Sequence, residues 1–409
     1  MKKYLILLFA LVCALAMVGC DNDESAAYVG VENDYFRAEP EDMFVFTNDS
    51  IYGGVRITGY LGDKTHLRVP YTINGRPVTS ISNTAFGVLV RQVVVPETVI
   101  RFDWGGMDFG AQVEEAGISE LFIPEGVTHI EDRSFRNLSI LEKVSLPSTL
   151  IAIGDQAFIN NTNLRTVSMN EGLRYIGMNA FDGCSLLSEV MLPSTLVRVG
   201  PSAFRNTALT DVTIPGSLES ISTSSFHGIA ALRNLYIEYG VRLINTNAFA
   251  DASLEVIIIP DSVHTIGRGA FARNSNVTHI QIGDGVREIG NFAFLDSRAL
   301  VSLSIGNNVE IIGSHAFYNI NFLTSIILPN SVRDVGAWAF ANGVSLILID
   351  LGDGIDTIGN HAFEKAHMLE YVSIPYSLVN LGNFAFSGSR SLPACQQAEI
   401  RKLNINALF

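Results

Sequence analysis

Phenylalanine recurs through this chain at positions 86, 109, 135, 158, 181, 204, 226, 249, 271, 294, 317, 340, 363 and 386. The step is 23 residues, apart from 26 between Phe109 and Phe135 and 22 at the steps to Phe226 and Phe271. A period this regular restricts the chain to a solenoid, because a unit of that length buries its apolar face only by stacking on neighbours. The 409 residues would otherwise need two or three globular cores, since a single core stops growing near about 250–300 residues. A solenoid core lengthens in one dimension and escapes that limit. With 48% hydrophobic and 17% charged residues, most of the chain is too apolar to stay disordered.

Each unit divides into three parts. Leu164, Val167 and Met169 mark a strand with one buried face, and the same frame returns at Leu141/Val144/Leu146, Leu187/Val190/Leu192 and Leu300/Leu303/Ile305. Proline often follows at once, as at Pro147, Pro193, Pro260 and Pro329; it lacks the ladder donor and fixes φ, so it ends the strand. After a short polar turn comes a second apolar run ending in glycine, at 154, 177, 200, 267, 290, 313, 336, 359 and 382. These glycines are expected at positive φ. Ala-Phe closes the unit, with Ala before Phe in all cases but Asp108, Ser134 and Ser225. The small residue lets coils approach, and the rings are expected to stack as a spine worth roughly 0.5–1.5 kcal/mol per pair beyond area burial.

The repeated Leu-x-x-Val/Ile-x-Ile/Leu-Pro…Ile-Gly-x-x-Ala-Phe resembles the BspA-like class of bacterial leucine-rich repeats, and so does the opening Gly54–Tyr60 followed by Ile73–Ile81. The resemblance implies a leucine-rich repeat solenoid of about fourteen 23-residue units, whose short parallel strands form one long sheet behind an N-terminal β cap. Residues 43–67, with strands broken by Asn48-Asp49, Gly53-Gly54 and Gly62-Asp63, read as that cap, and 68–392 as the repeats. Trp104-Gly105-Gly106 and an insertion around 111–117 break the frame and suggest a bulge. Residues 393–409 read as a C-terminal cap or a truncated repeat.

Residues 1–19 read as a signal peptide, with Lys2 and Lys3 before the apolar run from Tyr4 to Val18. Met17-Val18-Gly19-Cys20 resembles a bacterial lipobox, with Met17 in place of the usual Leu, which implies acylation at Cys20 and a membrane anchor. The acidic run Asp21–Glu24 resembles the export signal of surface lipoproteins, and residues 20–42 read as an acylated flexible tether. The expected location is the bacterial outer membrane and cell surface, with a periplasm-facing anchor as the alternative. Loss of Lys2 and Lys3 moves the formal net charge from −14 to −16, a poor match for nucleic acid. Cys184 and Cys395, nine repeats apart, lie too far from each other to pair.

No nucleophile–base motif, zinc signature or phosphate-cradling loop is present in the sequence, so neither an enzyme nor a cofactor or small-molecule substrate is expected. His315 and His361 hold equivalent positions two units apart, near 10 Å by strand spacing of about 4.8 Å, too far to share a metal. Asp284 and Asp353, each before Gly, read as turn formers. What remains is surface. Residues alternating with the buried strand positions point outward, and two apolar groups stand out among them: Tyr236, Val256 and Ile258, then Ile327, Leu348 and Tyr371. Clustered exposed apolar side chains mark contact sites, and Tyr is favoured in hot spots. The resemblance implies adhesion to a protein ligand such as a host matrix or plasma protein, or to other cells. The alternative is a periplasmic scaffold or a glycan binder, for which only Tyr236 and Tyr371 would serve as aromatic platforms.

Overall fold

The structure, a computed structural model, describes residues 40–48, 54–61, 66–70, 72–81, 92–94, 101–102, 119–123, 125, 127–404 and 406. The expected signal peptide, Cys20, most of the tether, Phe86, Trp104, Phe109 and the 111–117 insertion lie outside those residues. Everything described belongs to one compact unit, Glu39–Phe409.

The chain forms the leucine-rich repeat solenoid, with parallel strands stacked coil on coil. Each coil presents three stretches of backbone to the next. The first is the alternating strand: Thr166–Ser168 pairs in parallel with Lys143–Ser145, burying Val144 and Val167 while Lys143, Thr166 and Ser168 stay exposed. This ladder is not one long sheet. It runs in segments of five, two, three and three strands, starting at His66–Arg68, Asp211–Ile214, Val256–Ile259 and Ser325–Ile327. Two of the interruptions fall at the 22-residue units. Seven residues separate Phe204 from Asp211 and Phe249 from Val256, where eight separate Phe181 from Glu189, so the strand enters each coil from a shortened corner.

A second ladder, absent from the sequence-based expectation, forms where the Ile-Gly run lies. Its two-residue strands stack as His129–Ile130 to Arg198–Val199, then without a break from Ser220–Ile221 to Asn380–Leu381. The glycines that follow these strands do not have positive φ. They are required for a different reason: a Cβ at any of the nine would lie 2.4–2.8 Å from the preceding coil. Positive φ falls instead two residues before and two after each spine phenylalanine, as at Asn179 and Gly183 or His315 and Asn319. That conformation turns alternate N–H groups along the axis. Asn179, Phe181 and Gly183 donate to the carbonyls of Pro201, Ala203 and Arg205 at 2.7–2.9 Å, which makes a third ladder.

The rings form the expected spine. From Phe135 to Phe386 every successive pair stacks, with centroids 5.1–5.5 Å apart and planes within 17°. All of these phenylalanines are essentially inaccessible to solvent. Three residues beyond the ring, a buried polar side chain often closes the coil's hydrogen bonds. Asn274 donates to the carbonyls of Phe249 and Phe271, and Asn161 donates to that of Phe135. Cys184 does the same through its thiol, which burial pushes up to about 12, so it is a structural side chain and not a reactive one. It is unpaired, as is the exposed Cys395.

Both ends differ from the coils. At the N-terminal end, Phe44–Asn48 and Val55–Tyr60 form an antiparallel hairpin, with Phe44, Val55 and Ile57 buried. Val55–Tyr60 then runs parallel to Arg76–Ile81, and that strand runs parallel to Arg101–Phe102. At the C-terminal end the helix Ala394–Leu403 lies across the last coil and buries Ile400. Gln396 takes the place of a missing strand: its amide donates to the Val372 carbonyl at 2.9 Å and accepts the Val372 N–H at 3.4 Å. Asn404 donates to the carbonyl of Leu381, and Asn406 accepts the N–H of Phe384. Each of the three ladders therefore ends on at least one group that takes up part of its open edge.

Phe249→Ala removes a ring stacked on both faces and leaves a void in the middle of the array. The expected loss is about 3–5 kcal/mol in urea unfolding, and an unchanged transition would contradict the spine.

Candidate functional site

The outward side of the first ladder is where the sequence places contact residues, and the geometry can be built strand by strand. In Asn234–Ile237 and Val256–Ile259, Ile237, Ile257 and Ile259 face the core while Asn234, Tyr236, Val256 and Ile258 face solvent. Tyr236 is 64% exposed and Ile258 55%. The two strands lie against each other in successive coils without ladder hydrogen bonds, at one of the shortened corners. Tyr236 and Ile258 occupy the same outward row, between Thr213 and Gln281. Val256 belongs to the other row, beside His279.

The second group is divided more sharply. Leu348 and Tyr371 are direct cross-strand partners, whereas Ile327 lies opposite Asp350. Asp350 is itself committed, accepting the Ser373 hydroxyl at 2.6 Å and the Gly352 N–H at 3.1 Å. The apolar side chains thus flank a polar pair. A comparable network borders the first group: Asp211 accepts from Thr210 and Asn234 at 2.6 and 2.7 Å, which holds its carboxyl below the usual carboxylate range.

Two exposed tyrosines escaped the strand-based reading. Tyr239 and Tyr376 lie in the turn after the strand, ten residues before the spine phenylalanine. At that position other coils carry Glu171, Asp261, Asp284 or Asn330, whose side chains each accept the N–H of the following coil. This is the use to which the structure puts Asp284. Glu125 acts in the same way, and hydrogen bonds from the Ser148 N–H and hydroxyl hold its carboxyl low. A tyrosine here gives up that capping bond and adds an exposed ring to the coil that already carries Tyr236 or Tyr371. The substitution of a turn acceptor by an aromatic was visible in the sequence once the coils were aligned.

A second arrangement appears on the turn side of the last five coils. Two residues before the spine, the chain carries Phe292, His315, Trp338, His361 and Phe384, where earlier coils have Gln156, Asn179, Ser202, Ser224 and Asn247. The side chains stack in order, with centroids 4.9, 6.0, 4.1 and 5.1 Å apart. The two histidines are indeed two coils apart, but an indole fills the space between them. Arg268 caps the row, its guanidinium carbon 5.0 Å from the Phe292 centroid. All five residues have φ between 58° and 62°, which Asn and Gly tolerate and bulky side chains rarely adopt. At roughly 1–2 kcal/mol each, the five together cost about 5–10 kcal/mol, while four stacked pairs return roughly 2–6 kcal/mol. The two ranges overlap, and Gln156, Ser202 and Ser224 adopt a similar φ in earlier coils, so stacking comes close to offsetting the strain. Among the described residues, no three His, Cys, Asp or Glu side chains gather as a metal-holding group, and no helix is long and apolar enough to cross a membrane.

Comparison with known proteins adds the following. The family model for the BspA type leucine rich repeat region matches residues 113–230, 197–306 and 287–407. A leucine-rich repeat protein from Bacteroides ovatus superposes with a TM-score of 0.71 at 24% identity, covering 86% of this chain and 92% of that one. The pneumococcal vaccine antigen PcpA superposes with a TM-score of 0.51 at 18% identity, covering 90% and 96%. These identities establish likeness of fold alone. No curated protein sequence matches the chain.

Phe384→Asn replaces the last ring of the row by the residue found at the equivalent positions 179 and 247. The strain relieved and the stacking lost are of similar size, so stability should stay within about 1 kcal/mol of the parent in urea unfolding.

Proposed function

Starting from the fact that the chain belongs to the BspA type leucine-rich repeat family, we propose that it is a lipid-anchored cell-surface protein whose first-ladder face binds other proteins. Host matrix or plasma proteins and the surfaces of other cells are the intended partners. The observation that carries this reading is the exposure of Tyr236 and Ile258 at equivalent strand positions of two successive coils that pack against each other. The adjacent coils use Thr213 and Gln281 in the same row, so nothing in the fold requires large apolar side chains there. A solvent-facing aromatic next to a branched aliphatic loses water on contact with a partner and presents a rigid anchor. Tyr239, on the same coil, extends the surface toward the rim, and the Leu348–Tyr371 pair offers a second contact further along. A regular face of this kind suits large partners, because successive coils present side chains at fixed intervals. The anchor would be Cys20, with the acidic segment after it leading to the outer face.

Tyr236→Ala with Ile258→Ala should abolish binding to a panel of immobilised matrix and plasma proteins while leaving the melting temperature unchanged, since both side chains are exposed. Unaltered binding removes this face from consideration. Location is tested separately. Protease added to intact cells should degrade the solenoid, and Cys20→Ala should release it from the membrane fraction. Protection until lysis would place the protein in the periplasm and favour a scaffold role.

A further inference from the structure

The ring row on the turn side contains two imidazoles in unlike surroundings. His361 has an acceptor: its Nδ1 lies 2.6 Å from Glu364 Oε2. His315 has none. Its Nδ1 is shut off from solvent without a hydrogen-bond partner, and the imidazole lies 4.9, 5.5 and 6.0 Å, centroid to centroid, from the rings of Phe292, Tyr318 and Trp338. A neutral imidazole tolerates this, because the proton can sit on Nε2 and leave Nδ1 as an unused lone pair. An imidazolium does not, since it would carry a second N–H buried against aromatic rings with no acceptor.

The charged groups around the row do not relieve that penalty. Arg268 stands over Phe292, one ring away from His315, and adds positive charge on that side. Arg273 is paired with Asp251, and Asp296 with Arg298. In the Phe340 coil, Arg333 donates to the Gly354 carbonyl and Asp334 lies on the second ladder between Ile311 and Thr357. On the far side of Trp338 stand His361, Glu364 and Lys365.

We propose that the row Phe292–His315–Trp338–His361–Phe384 is a proton-operated seam. With His315 neutral the rings stay stacked and show only their edges. Protonation of His315 parts it from Trp338, and the turn surface then presents the faces of its aromatic rings while the phenylalanine spine beneath stays closed. The direction in pH follows from the burial of His315, which pushes its imidazole below the ordinary histidine range. A group held low in this way contributes its full stabilisation above the ordinary value of about 6.5. The contribution is lost as pH falls through the depressed value.

The chain has two tryptophans, so the full-length protein carrying Trp104→Phe reports on Trp338 alone. Acrylamide quenching of its fluorescence, read from about pH 8 to about pH 5, should rise about twofold as the indole leaves the stack, with far-UV circular dichroism unchanged. His315→Asn, the residue of equivalent coils, should abolish the step; His361→Asn should retain it. The indole N–H signal of Trp338 in the unaltered chain gives the same readout by NMR, independent of how the Trp104 variant folds. Three results would each overturn the seam: no step in this range, a step that persists in His315→Asn, or a step that coincides with loss of the solenoid's circular dichroism.

Discussion

Each phenylalanine of the spine between Phe135 and Phe386 lies between two others at a little over 5 Å, in planes nearly parallel to its own. No coil supplies its own partner. The ring of Phe181 is buried by Phe158 and Phe204, and the small Ala180 beside it lets the backbones come close enough for that to happen. This makes the fold cooperative along one dimension. A coil is ordered because its neighbours are, and the two ends are the places where that logic fails.

The ends are handled by substitution of one kind of group for another. Inside the array, backbone amides meet backbone carbonyls of the next coil in three ladders. At the C-terminal end the side chains of Gln396 and Asn404, with the main-chain carbonyl of Asn406, meet the edge of the last coil. The same economy appears in the turns, where Asp155, Asp284 and Asn291 each accept an N–H one coil ahead. Polar residues that look scattered along the chain are rows when viewed down the axis, and most are occupied by the fold. Among the exposed side chains with no such duty are Tyr236, Ile258 and Tyr239 on the first-ladder side, and beside them stands the strained ring row of the turn side.

These two surfaces differ in how they are built. The first-ladder residues are unstrained side chains on regular strands, so the face would meet a partner without rearranging. The ring row holds large side chains in a backbone conformation suited to asparagine, with one imidazole nitrogen lacking any acceptor. It is poised near balance, which is the condition under which a single proton changes its state.

The sequence by itself determined the solenoid, its coil boundaries, the phenylalanine spine and which side of the first strand faces outward. All of these follow from a period and an alternation, and both survive any uncertainty in angle or distance. Tertiary structure alone decided what depends on the spacing between coils. The glycines after the second strand are needed for close backbone approach and not for positive φ, since only stacking shows that a Cβ there would strike Asp155 or Gly177. Two of the first ladder's breaks fall at the shortened corners, and Ile327 lies opposite Asp350 and not Leu348, because pairing between strands depends on register and not on composition. His315 and His361, two units apart in the sequence, are linked for the same reason. Residues 23 apart in sequence become neighbours only when one coil is laid on the next, and Trp338 then falls between them.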